Sequence, residues 1–108
     1  MSMLEPEYRP RAAYDVESIV TYMGQILKSP QAARAWYENL KNTVSTLCTT
    51  FDLGRVFEDE RLAIKERRTF LVGKYRLFYS YDAEKLTVWR VVHTSRNIDD
   101  YAIVDLSD

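Results

Sequence analysis

The chain is predicted to fold as an α+β domain: an antiparallel sheet of three to four strands packed on an N-terminal helical hairpin, in the order β-α-α-β-β-β. Three features predict it. Apolar residues recur every three to four positions between residues 12 and 48, the spacing of helices with one buried stripe. Beyond residue 61 the pattern changes to runs rich in aromatic and β-branched residues, separated by short polar turns. With 108 residues there is room for one domain, 1–108, and one modest core, so the two halves must pack on each other.

Glu7 to Arg11 reads as a short first strand, and Pro10, which has no N–H to donate, confines it to an edge or a strand end. From Ala12 to about Lys28, Val16, Ile19, Val20, Met23 and Leu27 repeat at helical spacing and predict the first helix. Ser29 then offers an N-cap and Pro30 a residue pre-set for the first helical position. Ala33, Trp36, Tyr37, Leu40, Val44 and Leu47 carry the second helix to roughly Cys48. Only a few residues around Ser29 join the two, so they pack as an antiparallel hairpin with Met23 and Trp36 in the core. Phe51 to Arg61, with Gly54 and many polar residues, reads as a loop. Leu62–Val72, Tyr75–Tyr81 and Leu86–His93 are the predicted strands, joined by turns at Gly73-Lys74 and at Asp82-Ala83-Glu84-Lys85. Residues 99–108 read as an acidic tail.

Hydrophobic residues at 46% and charged residues at 29% argue against a disordered or low-complexity chain. No apolar run approaches the ~18 residues of a membrane span, and Glu5, Pro6 and Glu7 stand where a signal peptide needs apolar residues; a cytoplasmic location without membrane contact is expected. Cys48 is the single cysteine and His93 the single histidine, so no internal disulfide, no metal site and no cofactor are expected.

The net charge of −1 conceals an uneven distribution. Residues 1–53 hold five basic and six acidic side chains, residues 54–98 ten and six, and residues 99–108 none and four. Between 61 and 76, Arg61, Lys65, Arg67, Arg68, Lys74 and Arg76 face Glu66 alone, a local basic patch of the kind phosphates require. The acidic tail is expected to fold back on Arg67 and Arg68 and partly screen it.

Several short motifs bear on function: Ala13-Tyr14-Asp15-Val16-Glu17-Ser18-Ile19-Val20-Thr21-Tyr22 on the first helix, Gly54-Arg55 in the loop, Gly73-Lys74-Tyr75-Arg76-Leu77-Phe78-Tyr79, and Val91-Val92-His93-Thr94-Ser95-Arg96-Asn97 at the end of the last strand. In this order and spacing the chain resembles the RelE/ParE superfamily of toxins from type II toxin–antitoxin modules. That superfamily contains both ribosome-dependent mRNA endonucleases and inhibitors of DNA gyrase on one scaffold, so the resemblance implies a toxin without naming its target. It also implies a cognate antitoxin with a segment that folds onto the toxin, for which Tyr14, Tyr22 and Tyr37 beside the helical hairpin are candidate contacts.

A four-residue turn at Asp82–Lys85 sets Tyr81 opposite Leu86 and Arg76 opposite Val91. Arg76, Phe78 and Ser80 then share an open face with Thr87, Trp89, Val91 and His93, while Leu77, Val88 and Val92 cover the helices together with Arg90. Arg76 and His93 become diagonal neighbours, ~7–8 Å apart and able to flank one phosphate. That face suits metal-independent cleavage of RNA by its own 2′-hydroxyl: Arg76 stabilises charge on the phosphoryl oxygens and His93 is acid or base. Glu66 or a pKa-lowered Lys65 is the candidate base, Arg68 and Arg96 are further phosphate contacts, and Phe78 and Trp89 are stacking surfaces for splayed bases.

The resemblance supports Arg76, which matches the phosphate-binding arginine of a Tyr-Arg-x-x-Tyr strand in the nuclease members. It extends to His93, as a histidine near the end of the last strand, and to Tyr101, the local match to a C-terminal tyrosine. The expected function is a ribosome-dependent mRNA endonuclease acting on mRNA on the ribosome. The alternative is a ParE-like inhibitor of DNA gyrase, favoured by the near-neutral total charge and by the His-x-x-Arg ending, His93-Thr94-Ser95-Arg96.

Overall fold

The structure is a computed structural model and describes residues 3–63 and 66–107. The chain opens with strand β1 (Glu5–Tyr8), then helix α1 (Pro10–Thr21), which continues through a π-helical turn at Tyr22–Ile26. Helix α2 (Pro30–Thr49) follows, and then strands β2 (Arg55–Val56), β3 (Arg68–Val72), β4 (Tyr75–Tyr81) and β5 (Lys85–His93), with helix α3 (Asp100–Ser107) last. The helix-to-helix joint forms as its residues dictate. Lys28 takes a left-handed φ of 54°, Ser29 Oγ accepts the Ala32 N–H at 3.3 Å, and Pro30 opens α2.

The described strands form a mixed five-stranded sheet in the order β1-β5-β4-β3-β2, where three to four antiparallel strands are expected. The difference lies at the two edges. β1 runs parallel to β5, pairing Glu5 with Lys85 and Tyr8 with Val88, a long-range match that no local pattern announces. Pro10 starts α1 instead of ending a strand, and β2 is a two-residue strand within the predicted loop. The β3 strand is shorter than Leu62–Val72, and of that span Ile64 and Lys65 lie outside the described residues. β4 has the predicted bounds, and Gly73, at a left-handed φ of 61°, starts the two-residue turn that pairs Val72 with Tyr75.

The decisive departure is in register. Tyr81 opposes Leu86 as expected, but Phe78 pairs with Arg90 and Tyr79 with Val88, so Trp89 is an extra residue in β5. Beyond this bulge every partner shifts by one. Arg76 opposes Val92 rather than Val91, and His93 opposes Tyr75. A one-residue shift exchanges faces, so Arg76 and His93 stand on opposite sides of the sheet and the expected diagonal pair does not form.

Both faces of the sheet carry a core. Under the helical hairpin, Leu40, Leu47, Leu77, Tyr79, Leu86 and Val88 are fully buried together with Trp36, Val72 and Val91. On the other face Leu62, Phe78, Trp89 and Val92 pack against Ile103 and Leu106 of α3, with Phe57 and Ile98 at the margin. The residues expected to form an acidic tail are thus a helix, with Asp99 as its cap: its carboxylate accepts the Ala102 N–H at 2.9 Å.

Candidate functional site

The fold itself recruits three of the six cations in the basic run, Arg61, Arg67 and Arg68. Arg61 donates to Asp59 Oδ2 at 2.8 Å, to Asp100 Oδ1 at 3.1 Å and to the Ile98 carbonyl at 2.8 Å. Hydrogen bonds from Arg61 hold the Asp59 carboxyl down at about 2. Arg67, 4% exposed, donates to the Leu106 carbonyl at 2.8 Å and lies 4.0 Å over the Trp89 ring. Arg68 spans to the Asp52 and Gly54 carbonyls at 3.2 and 2.7 Å. The C-terminal residues therefore do fold back on Arg67, through a backbone carbonyl, but Arg68 is engaged with the loop before β2.

Arg76 stands apart from these. It is half-buried, its guanidinium lies 5.9 Å over the Phe78 ring, and among the described residues it meets no carboxylate. Arg55 and Lys74 are exposed and likewise unpaired among the described residues. Pairing of Arg55 with Thr69, Thr69 with Phe78 and Leu71 with Arg76 puts Arg55, Thr69, Leu71, Arg76 and Phe78 on one face. Leu71 is 61% exposed there.

His93 is on the hairpin side, where its ring meets Tyr75 edge-to-face at 5.1 Å, and Tyr75 in turn meets Trp36 at 5.3 Å. The Ser95 N–H donates to His93 Nδ1 at 3.1 Å, and Ser95 Oγ lies 2.8 Å from the same nitrogen. Because an amide can only donate, Nδ1 is the acceptor of that bond. This His93-Thr94-Ser95-Arg96 ending braces the exit from β5, with Arg96 3.9 Å from Asp99.

The aromatic expectation is corrected by burial. Phe78 is completely buried, edge-to-face with Phe57 at 5.1 Å. Trp89 is 8% exposed, donates from Nε1 to Ser80 Oγ at 2.9 Å, and is flanked by Arg67 and, at 5.2 Å, Arg9. Neither offers a free ring face to a base. Glu66 is exposed in the segment before β3, Tyr101 is 82% exposed on α3, and Lys65 lies outside the described residues. Among the described residues, no candidate acid, base and cation are brought together around one point.

Two constellations escaped the sequence reading. Arg90, 2% exposed, donates from Nε and Nη2 to Asp15 of α1 at 2.7 and 3.2 Å and from Nη1 to Asp105 of α3 at 3.0 Å. Asp15 also accepts the Val91 N–H at 3.0 Å, serving the part of the β5 edge that β1 does not reach. The alternation that sets Arg90 among helix-facing residues gave no hint of this, because the bulge turns it toward α3. In the second constellation the Tyr79 hydroxyl accepts the Gly54 N–H at 2.9 Å and donates to the Phe51 carbonyl at 2.8 Å. A Cβ at Gly54 would sit 2.5 Å from that hydroxyl and 2.7 Å from the Thr69 carbonyl, so the loop must have glycine there. The Gly54-Arg55 motif was the visible signal.

An open apolar groove of about 810 Å³ separates α1 from α2. Val16 and Val20 form one wall, Ala33, Tyr37 and Val44 the other, with Tyr8 and Cys48 at its base and Glu17, Arg34 and Lys41 along its rim. Burial, with smaller contributions from Tyr37 and Cys48, pushes the Tyr8 phenol up to about 12, and burial raises the Cys48 thiol. Of the three candidate tyrosines only Tyr37 lines this groove. Tyr14 and Tyr22 line a shallower depression on the outer side of α1 with Ser18 and Ile26.

The family model described as the ParE toxin of type II toxin–antitoxin system, parDE, matches residues 7–98. Among solved structures, the fold is similar to a chain titled "Chromosomal ParDE TA system from P. aeruginosa", with a TM-score of 0.67 and 16% identity over 84% of this chain and 96% of that one. No curated protein matches the sequence significantly. No helix among the described residues is long and apolar enough to cross a membrane.

Proposed function

The chain belongs to the ParE toxin family of type II toxin–antitoxin systems, and we propose that it arrests growth by binding DNA gyrase rather than by cutting mRNA. One observation carries this choice: the bulge at Trp89 puts Arg76 and His93 on opposite faces of the sheet. In-line cleavage by a 2′-hydroxyl needs base, cation and acid within reach of one phosphate, and here the cation and the histidine are separated by the sheet itself. Burial of Phe78 and Trp89 removes the stacking surfaces, and internal bonding of Arg61, Arg67 and Arg68 removes much of the phosphate-binding charge.

A toxin of this system has an antitoxin partner, and the groove between α1 and α2 is its proposed seat. An apolar cleft between two helices suits the apolar face of a third, delivered by a segment that orders on binding.

Brief induction in growing cells decides between the two modes of killing. The gyrase reading expects intact transcripts, double-strand DNA breaks, and inhibition of purified gyrase in a supercoiling assay. Truncated transcripts in cells with undamaged DNA would overturn it, and loss of that truncation in Arg76→Ala would restore the nuclease reading.

A further inference from the structure

We infer that the sheet face bearing Leu71 and Arg76 is the surface with which the toxin grips its protein target, and that it reads a patch of carboxylates around an apolar anchor. This inference rests on the reading that the chain kills by binding a protein. Among the described basic residues between 54 and 98, Arg61, Arg67, Arg68, Lys85 and Arg90 are engaged with carboxylates, carbonyls or a ring, and Arg96 is near Asp99. Among the described residues Arg55 and Lys74 have none of these partners, and Arg76 has only the Phe78 ring, 5.9 Å from its guanidinium, and no carboxylate. Arg76 stands opposite Leu71 and Arg55 opposite Thr69, so both share Leu71's face, and Lys74 is in the turn that joins β3 to β4.

The composition of the face identifies its occupant. Leu71 is 61% exposed between cations, the apolar-centre, charged-rim arrangement of a protein-binding surface. A bare phosphate backbone offers such a leucine nothing, and the Phe78 and Phe57 rings on this side are packed, Phe78 completely buried and Phe57 edge-to-face against it. A protein surface with carboxylates around a hydrophobic side chain satisfies both the guanidinium groups and the leucine. The face also lies across the sheet from the groove between α1 and α2, so target and antitoxin have separate seats.

The test uses the full chain with Leu71→Asp, Arg76→Glu and Arg55→Glu. Each is assayed for growth arrest, for gyrase supercoiling in vitro and for binding to its cognate antitoxin. Leu71 and Arg55 are exposed, so those two variants should melt as the wild type does, whatever Arg76→Glu does to the fold. Expected is a loss of potency of about 10-fold or more in each, as for charge reversal at a contact surface, with antitoxin affinity within about 2-fold of wild type. Full potency in Leu71→Asp and Arg55→Glu overturns the assignment. So does lost antitoxin binding with toxicity retained, which gives the face to the antitoxin. Binding of a short DNA duplex that disappears in the variants gives it to nucleic acid and overturns it as well. Wild-type arrest without gyrase inhibition, abolished in the variants, refutes gyrase as target and upholds the surface. A wild type that inhibits gyrase alongside equally active variants does the reverse.

Discussion

The two faces of the sheet are covered in different ways. The hairpin face is closed by a 20-residue α2 and by α1, whose Ile19, Trp36, Leu40, Val44 and Leu47 pack on Val72, Leu77, Tyr79, Leu86 and Val88. Apolar area does most of the work, and a polar tie across the layer is the Trp36 Nε1–H donated to the Val72 carbonyl at 3.0 Å. The opposite face is closed by the eight-residue α3, too short to be stable as an isolated helix. Ile103 and Leu106 supply apolar contact, and arginines supply the rest: Arg90 to Asp105, Arg67 to the Leu106 carbonyl, Arg61 to Asp100. A long helix can be held by volume alone. A short one on a basic sheet is held by charge, and that same charge is then withheld from ligands.

Four changes would break or sharpen this contrast, and the tryptophans report on it separately, Trp36 in the hairpin layer and Trp89 under α3. The largest effect is expected from Asp15→Ala, which strands the buried Arg90 between the two layers and should cost about 3–5 kcal/mol in urea unfolding, with both tryptophans responding. Adding Arg90→Met should recover part of the loss, because the uncompensated charge is gone; a double variant as unstable as the single sum would refute the ion-pair account. Leu40→Ala comes next, at about 2–5 kcal/mol, because the residue is fully buried and leaves a cavity in the hairpin layer. Removing the α3 cap with Asp99→Ala should cost about 1 kcal/mol, seen as faster amide exchange in α3 and a change at Trp89 alone.

The smallest effect is expected from pH, and its sign differs between the layers. Arg61 holds Asp59 at about 2, below its ordinary 3.8, and the Ala102 N–H lowers Asp99. These depressed carboxyls stabilise the fold above their unfolded values; the Asp59 contribution is lost as pH falls from about 4 through 2, and that of Asp99 is lost in the same direction. Acid should therefore loosen α3 first. Tyr8, raised to about 12 by burial at the base of the groove, favours the fold fully below pH 10 and less as pH rises toward 12. Alkali should register first at the hairpin. A Trp36 response preceding Trp89 in acid would count against this assignment of layers.

The hairpin was legible because its signals are local. Apolar spacing, the Ser29 cap, Pro30 and the Gly73 turn each act within a few residues of themselves, and so do the alternating residues of β4. The C-terminal helix was misread because Asp99, Asp100 and Asp105 dominate its composition. Yet Asp99 as cap and Ala102, Ile103 and Leu106 at helical spacing were visible marks of it. The expected Arg76–His93 pair failed on register. Arg76 was placed on the correct side of the sheet, but its supposed partner His93 depended on counting through Trp89 without a bulge.

Taken by itself, the order of residues determined the two helices, the three consecutive antiparallel strands and the stock of basic side chains between 54 and 98, because periodicity and composition need no distant partner. Only the tertiary structure decided which of those cations remain free, which side of the sheet His93 occupies and what covers Phe78. Each of these outcomes follows from a contact between segments far apart in the chain: β1 with β5, Asp15 with Arg90, Leu106 with Arg67. A side chain's availability is a property of its neighbours in space, and a one-residue bulge is enough to change them all.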